Sequence, residues 1–330
     1  MFLGRRDFVK ASAALIAGAT LPLGAMRCAA QELTEDDIEK ILKSPLDRKE
    51  VFPAKKSEVY TAVPGSISRN EMTPRLSAAT HNNFYEFLPG RGGPVWRYTD
   101  DFEVEPWTVE VTGLCEKPTK FDLDDLFKFA HEERVYHFRC VERWAMNVPW
   151  SGFPLHKLLA KVEPKKEVTH VRFVTANRPK QMPGMRQADY FNWPYCEGLR
   201  IDEAMHDLTL VATGVYGAPL LKQHGSPLRI VVPWKYGYKN PKSIVKIELL
   251  GSKPTTFWGV DPYEHEYGFL SNVNPNIPHP RWSQARSYWL DTQDWFKTPR
   301  FNGYEEQVAA LYPDEPSKPQ RPLQAGEIAR

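Results

Sequence analysis

Trp107, Val109 and Val111 alternate with Thr108 and Glu110, the period of a half-buried strand. Stretches rich in Val, Ile, Leu and Thr recur at Val168–Ala176, Leu208–Tyr216, Leu228–Trp234 and Ser243–Leu250, and each predicts a further strand. Val135–Cys140 is strand-like as well. Helical spacing lies between these runs. Leu123, Leu126, Phe127 and Ala130 mark a helix over Leu123–Ala130 with Asp122 as N-cap. Leu155, Leu158, Leu159 and Val162 mark a second helix that starts near Pro154 and stops at Pro164. A charged helix over Thr34–Ser44 has Thr34 and Asp37 at capping-box spacing and reads as peripheral.

Strands mixed with short helices, without an internal repeat, predict one α+β domain built on a mixed sheet. Val51–Thr99 holds Pro64, Pro74, Pro89 and Pro94, shows no sustained period and reads mostly as wrapping loop. The stretch after Cys140, through Pro149 and Gly152, reads as a loop too. Residues 251–330 carry many aromatics and prolines without strands at regular spacing, so they read as a tail wrapping the same domain. The expected organisation is residues 1–30 a leader, 31–75 a peripheral segment, 76–250 the core and 251–330 the wrapping segment.

Composition adds length and context. The 330 residues are enough for one large core, and 42% hydrophobic with 25% charged residues is ordinary for a soluble globular chain. The 29 prolines are many, which suits long ordered loops. At the start, Arg5, Arg6 and Lys10 precede an uncharged run, Ala11–Met26, too short to span a bilayer comfortably. The adjacent arginines resemble a twin-arginine export signal, a route that carries folded proteins, often with a cofactor already inserted. Without residues 1–30 the chain keeps 39 basic against 40 acidic side chains, which gives nucleic acid no reason to bind. Three cysteines then remain, Cys115, Cys140 and Cys196, so at least one is free or ligating. Whether Cys115 and Cys196 bond to each other is left open by spacing alone.

Cys140 carries the most chemistry. A thiolate suits soft or redox-active metals, yet no second Cys or His stands at zinc spacing, so a metal here needs donors from an organic cofactor. The bland reading is a buried cysteine packing as a small hydrophobe. Arg229 lies within Leu-Arg-Ile-Val-Val-Pro-Trp, where a lone buried charge is costly and a phosphate is a fitting partner. Glu142, two residues after Cys140, reads either as a proton carrier or as a carboxylate paired with Arg139 or Arg143. The sequence shows no C-x-x-C-H haem motif and no cysteine cluster for iron–sulfur.

Five ordered pieces carry a resemblance: Asn-Asn-Phe-Tyr-Glu at 82–86, Arg-Cys-Val-Glu at 139–142, Pro-Trp-x-Gly-Phe-Pro-Leu at 149–155, Val-Pro-Trp-Lys-Tyr-Gly at 232–237 and His-Pro-Arg-Trp-Ser-Gln-Ala at 279–285. In these the chain resembles the catalytic subunits of periplasmic protein-methionine-sulfoxide reductases, molybdopterin enzymes of the sulfite-oxidase fold. The resemblance implies one molybdopterin-bound molybdenum per chain, with Cys140 its single protein ligand and Glu142 beside it. It assigns the cofactor to Asn82, Tyr85, Glu86, Thr175, Arg229, Lys242, the backbone of Asn240 and Pro241, and His224, where the family often has asparagine. Pro241 has no N–H to offer an anion, only shape or its carbonyl.

The resemblance further implies a periplasmic enzyme that repairs methionine sulfoxide in oxidised proteins and takes electrons from a haem-containing membrane subunit. The nearest rival is sulfite oxidation on the same cofactor, a branch that usually carries an extra sandwich domain for dimerisation; the proline-rich tail argues against it and against a homodimer. Two rivals of other classes are a Cys140-nucleophile hydrolase using His137 or His156 as base, and a non-catalytic binding protein.

Overall fold

A computed structural model describes residues 33–319, except His265 and Pro278. The leader expected over residues 1–30 lies outside the described residues. These residues fall into two compact units, one up to Ile38 and one from Glu39 on. Thr34 caps the helix Glu35–Leu42: its Oγ1 accepts the N–H of Asp37 at 3.1 Å, and Asp37 Oδ2 accepts the N–H of Thr34 at 3.1 Å. That reciprocal pair satisfies two of the donors a helix start leaves open.

Among the described residues the strands are β1 (Lys55–Lys56), β2 (Asn82–Phe84), β3 (Leu88–Gly93), β4 (Thr108–Gly113), β5 (Thr119–Asp122), β6 (Glu132–Arg139), β7 (Trp144–Pro154), β8 (His170–Thr175), β9 (Cys196–Arg200), β10 (Leu210–Val215), β11 (Ala218–Pro219), β12 (Arg229–Val231), β13 (Ile244–Leu250), β14 (Arg286–Trp289) and β15 (Trp295–Lys297). One sheet runs β1-β6-β7-β10-β11, with β12 on β10 and the pair β14–β15 joined to β7. A second runs β5-β4-β13-β8-β9, and β2–β3 is a separate hairpin. Parallel and antiparallel pairs coexist in both larger sheets, and the helices are short, as expected of a mixed-sheet α+β fold.

The predicted helix at Leu155–Val162 forms, with Leu155, Leu158, Leu159 and Val162 all buried. The one at Leu123 is shorter, Leu123–Phe127, and Asp122 Oδ1 caps it by accepting the N–H of Asp125 at 2.8 Å. Strands β4, β8, β10 and β13 fall where alternation and β-branched content put them. The expected strand Leu228–Trp234 pairs only over Arg229–Val231, because Pro227 and Pro233 on either side have no N–H for a ladder.

Three expectations need correction. Beyond Cys140 the chain is not a loop: β7 is an 11-residue strand, buried at every position, hydrogen-bonded to β6 on one side and β10 on the other. The N–H of Val135 points away from β7, to Tyr60 O at 2.9 Å, so Val135 and Pro149 face each other without a ladder bond and β6 never calls on the missing N–H of Pro149. On its other side Pro149 supplies its carbonyl to the N–H of Tyr216 at 2.9 Å. At Gly152 a Cβ would lie 2.0 Å from the carbonyl oxygen of Val211, so the glycine marks close strand approach, not a turn. Second, Val51–Thr99 contains a helix, Arg75–Thr80, and the β2–β3 hairpin, both too short to show a period. Third, the C-terminal stretch contributes β14 and β15, of four and three residues, which exist because β14 pairs in parallel with β7 at Tyr288↔Trp144 and Trp289↔Ala145.

One continuous hydrophobic core includes Phe138, Trp144, Trp150 and Trp234 together with the inner faces of both sheets. Among the described residues no helix is long and apolar enough to cross a membrane. Cys115, Cys140 and Cys196 are all free and buried.

A buried candidate active site at the Cys140 turn

Strands β6 and β7 meet in the tight turn Cys140–Arg143, closed by Cys140 N–H to Trp144 O and Arg143 N–H to Cys140 O, both at 3.0 Å. Arg143 takes a left-handed backbone, φ 78°, which is unusual for a residue with a side chain. The turn fixes Cys140 at the end of a hairpin whose second strand is buried at every position. Arg139 holds it from beneath: its guanidinium donates to Cys140 O, to Gln284 Oε1 at 2.7 Å and to Ser287 Oγ at 2.7 Å. The residues after β13 then fold over the turn, where Trp282 Nε1 and Gln284 Nε2 both donate to Val141 O, at 2.9 and 2.8 Å.

Cys140 opens into a cavity of about 260 Å³. Its sulfur accepts hydrogen bonds from Asn83 Nδ2 at 3.3 Å and from the N–H of Glu142 at 3.4 Å. The Glu142 carboxylate accepts from the same Asn83 amide at 3.0 Å and from Trp144 Nε1 at 3.3 Å, and it pairs with neither Arg139 nor Arg143. Burial, together with the neighbouring Glu142 carboxylate, pushes the Cys140 thiol up to about 12, so the apo site keeps a proton on sulfur at neutral pH. That is a poor nucleophile. His137 lies on the opposite face of β6 from Phe138 and is bonded to Asn147 through Nδ1 at 2.8 Å. His156 sits on the helix Leu155–Val162 away from the cavity lining, so neither histidine of the hydrolase reading stands beside Cys140.

The cavity wall also holds two cations. Arg229 and Lys242 are direct partners across an antiparallel bridge, and both line the wall. The Arg229 guanidinium donates only to main-chain carbonyls, of His224 at 3.0 Å, Asn240 at 3.3 Å and Ile230 at 3.5 Å, and lies 5.0 Å over the Trp150 ring. Burial pushes Arg229 down to about 9, and burial plus the charge of Arg229 holds Lys242 well below the ordinary lysine range. Neither has a carboxylate ion pair among the described residues. The nearest acid in the wall is Glu86, which burial raises and which accepts from Thr175 Oγ1 at 3.0 Å.

Of the residues expected to hold a cofactor, the cavity lining brings together Asn82, Tyr85, Glu86, Cys140, Glu142, His224, Arg229, Pro241 and Lys242. Two stand behind it. Thr175 orients Glu86, and Asn240 gives its carbonyl to Arg229 while its side chain ties the 236–240 turn to the N–H of Val232. The Pro241 carbonyl accepts the N–H of Ile230 at 3.1 Å, so toward the cavity it offers shape. Sequence reasoning missed Asn83, although the 82–86 piece contains it, and missed Arg281, Trp282 and Gln284, which the 279–285 piece contains.

The wall is suited to a polar organic group with an anionic end. Four buried polar atoms in it have no hydrogen-bond partner: the acceptors Asn82 Oδ1, Asn83 Oδ1 and His224 Nδ1, and the donor Trp150 Nε1. With His224 Nε2 donating to Ala78 O at 3.1 Å, the free Nδ1 is the acceptor of that ring. Adding two cations without an ion pair among the described residues for a phosphate and one thiol for a soft metal gives a donor set that fits a phosphorylated pterin dithiolene carrying molybdenum. Among the described residues no cluster of three or more His, Cys, Asp or Glu side chains is placed to hold a metal by protein alone.

Comparison with known proteins agrees with this chemistry. Residues 96–258 match the family described as oxidoreductase molybdopterin binding domain. The chain is 48% identical over 255 residues to the protein-methionine-sulfoxide reductase catalytic subunit MsrP of Xanthomonas axonopodis pv. citri (strain 306), covering 75% of this chain and 78% of that one. The protein of the same name from Gluconobacter oxydans (strain 621H) is 48% identical over 258 residues, 76% and 82% of the two chains. That from Burkholderia mallei (strain ATCC 23344) is 42% identical over 317 residues, 94% and 90%. Among solved structures, the sulfane dehydrogenase SoxCD from Paracoccus pantotrophus aligns at 18% identity and TM-score 0.44, over 71% of this chain and 60% of that one.

Proposed function

Because the chain belongs to the protein-methionine-sulfoxide reductase catalytic subunits of the molybdopterin-binding oxidoreductases, we propose that it repairs oxidised proteins in the periplasm with electrons from a haem-containing membrane subunit. It is a molybdenum-dependent reductase of methionine sulfoxide. The periplasmic reading is supported by Arg5-Arg6 and the uncharged run after it, and export in the folded state by the cofactor cavity, which unfolded chain does not have. The haem partner is supported by the absence of a second redox motif in the sequence. We read the enzyme as working with one cofactor per chain and without a second copy of itself, since β14 and β15 close onto the same chain's β7.

The observation that carries the reading is one cavity whose wall holds a thiol, an amide and a carboxylate together with two cations that have no ion pair among the described residues. Arg229 and Lys242 would hold the phosphate, Asn82, Tyr85, Glu86 and His224 the pterin edges, and Cys140 the metal. When bound, the cofactor supplies two-electron oxygen-atom transfer. As the metal's ligand Cys140 would be a thiolate, and Asn83 Nδ2, which donates to its sulfur and to the Glu142 carboxylate, would steady the one and pin the other beside it. Glu142, with no arginine partner, is free to hand on protons as sulfoxide, two protons and two electrons become thioether and water. Trp144 and Trp282 line the same cavity as Cys140 and add apolar surface beside the sulfur.

Metal and phosphate analysis of the exported protein beside a Cys140→Ala variant tests this. Wild type should carry molybdenum and phosphate in equal amounts, the variant far less molybdenum; wild type without molybdenum overturns the reading. A reduced dye with free and peptide-bound methionine sulfoxide should give turnover, whereas turnover of sulfite with an oxidant alone favours the oxidase rival.

A further inference from the structure

The hairpin β14–β15 has a face that the cavity does not use. Its register pairs Arg286 with Lys297 and Tyr288 with Trp295, and side chains two apart on a strand share a face, so these four project together. The alternate residues Ser287 and Trp289 are buried, which puts the four on the outward side. Trp295 is 39% exposed, large for a tryptophan, and its ring lies 5.0 Å from that of Tyr288. Arg143 joins the same face from the turn: its guanidinium lies 5.1 Å over the Trp295 ring, and its carbonyl accepts the N–H of Tyr288 at 2.9 Å.

Three cations therefore surround two aromatic rings, and none of the three has an ion pair among the described residues. Of the hairpin's two carboxylates, Asp291 is paired with Arg69 at 2.8 Å and Asp294 stands at the turn beside Trp295. None of the five side chains lines the cavity, so a partner covering them leaves the cavity wall untouched. Yet the patch reaches Cys140 by the shortest of paths. Trp295 stacks on Arg143, and the Arg143 N–H is bonded to the Cys140 carbonyl at 3.0 Å, three residues from the sulfur-bearing one.

We propose that this face, Arg143, Arg286, Tyr288, Trp295 and Lys297, is where a protein electron donor docks, one that presents carboxylates around a one-electron redox centre. The proposal rests on the reductase reading, because each sulfoxide consumes two electrons and two protons on its way to thioether and water, and the chain has no second centre in its sequence to store them. Charge complementarity steers the encounter, and the exposed indole and phenol give the docked partner contact beside the turn that holds the ligand cysteine. Each docking event passes one electron inward, and two oxidised donor molecules leave per sulfoxide.

The test uses the loaded full-length enzyme, its Arg286→Glu/Lys297→Glu double variant and its Trp295→Ala variant. The probe donor is a reduced, acidic, soluble haem protein, whose oxidation by the enzyme is followed in its own absorbance without sulfoxide, so that this readout stands even if the substrate assignment fails. A small reduced viologen with methionine sulfoxide measures the site itself. Viologen-driven turnover should stay within twofold of wild type in both variants. Oxidation of the haem protein should slow at least tenfold in the charge-reversed variant and lose its dependence on salt. Equal rates with the haem protein, or losses that run in parallel with viologen, overturn the proposal. So does loss of binding to phosphatidylglycerol vesicles with haem-protein rates intact, which would make the face a membrane contact. A selective loss of viologen-driven turnover on oxidised proteins would make it a substrate contact and equally overturn it.

Discussion

Lys242 and Arg229 illustrate what a cation in a cavity wall costs the fold. Arg229 is buried and Lys242 half-buried, desolvation holds both below their ordinary range, and among the described residues neither has a carboxylate at ion-pair distance, although the charge of Glu86 partly offsets that of Lys242. Replacing such a cation with an isosteric apolar side chain relieves desolvation that the fold alone never recovers. Lys242→Met should therefore raise the stability of the apo protein by about 1 to 3 kcal/mol in urea unfolding. The same variant should retain at least tenfold less cofactor through gel filtration. Stability and retention moving in opposite directions is the diagnostic result; a parallel loss of both would show that Lys242 is part of the scaffold. Thr175, by contrast, touches only Glu86 and the Tyr195 carbonyl, at 3.0 and 3.2 Å. Its removal should cost both quantities together, through the orphaned Glu86.

At the scale of elements, the β6–β7 hairpin carries the site, and its precision comes from crowding. Gly152 sits where β7 meets β10, with room for no Cβ: one would stand 2.0 Å from Val211 O and 2.9 Å from Ala212 Cα, both rigid backbone. Gly152→Ala should destabilise the protein by on the order of 3 kcal/mol, measured as a shift in the urea midpoint. An unshifted midpoint would mean that β10 moves aside freely. This strand is also where sequence reading failed. Pro149 and Gly152 signal a loop in any local scheme. What overrides them is pairing on both sides, arranged so that the lost N–H of Pro149 faces no acceptor in β6 and the missing Cβ of Gly152 admits β10. Neither fact is local. The helix Leu155–Val162 and strands β4, β8 and β13 were legible because period and composition act within one element. The candidate site was legible through Cys140, Glu142, Arg229 and Lys242, whose chemistry is conspicuous in an apolar run or beside a thiol. Asn83 was not, since an amide in a polar turn looks like any other until the sulfur it donates to is brought 3.3 Å away by a strand fifty residues on.

For the whole molecule, acid is the expected weakness. Burial pushes His137 and His224 down to about 4, so the folded protein keeps both rings neutral where the unfolded chain, near 6.5, takes up protons. A lowered histidine pKa means the folded state binds fewer protons in that window, so its contribution is fully present above pH 6.5 and is lost as pH falls toward 4. For His137 alone this is roughly 3 kcal/mol. His137→Leu should lower stability at pH 7 by about 1 kcal/mol, because the Asn147 carbonyl loses its donor. It should also flatten the decline between pH 6.5 and 4; an unchanged slope in urea midpoints across that range would refute the assignment.

The way the last strands close over the Cys140 turn has a consequence for synthesis. Trp282 and Gln284 roof Val141, Ser287 and Gln284 hold Arg139, and β14 lies along β7, so the turn is completed by chain made some 140 residues after it. A growing chain emerges from the ribosome in order, and domains fold as units once their contacts are available. Cys140 therefore waits, on the nascent chain, for the segment from Trp282 to Trp289 to appear. If Cys140 binds the cofactor, insertion would follow synthesis of these strands, and a loaded molecule would be one in which β14 is already in place.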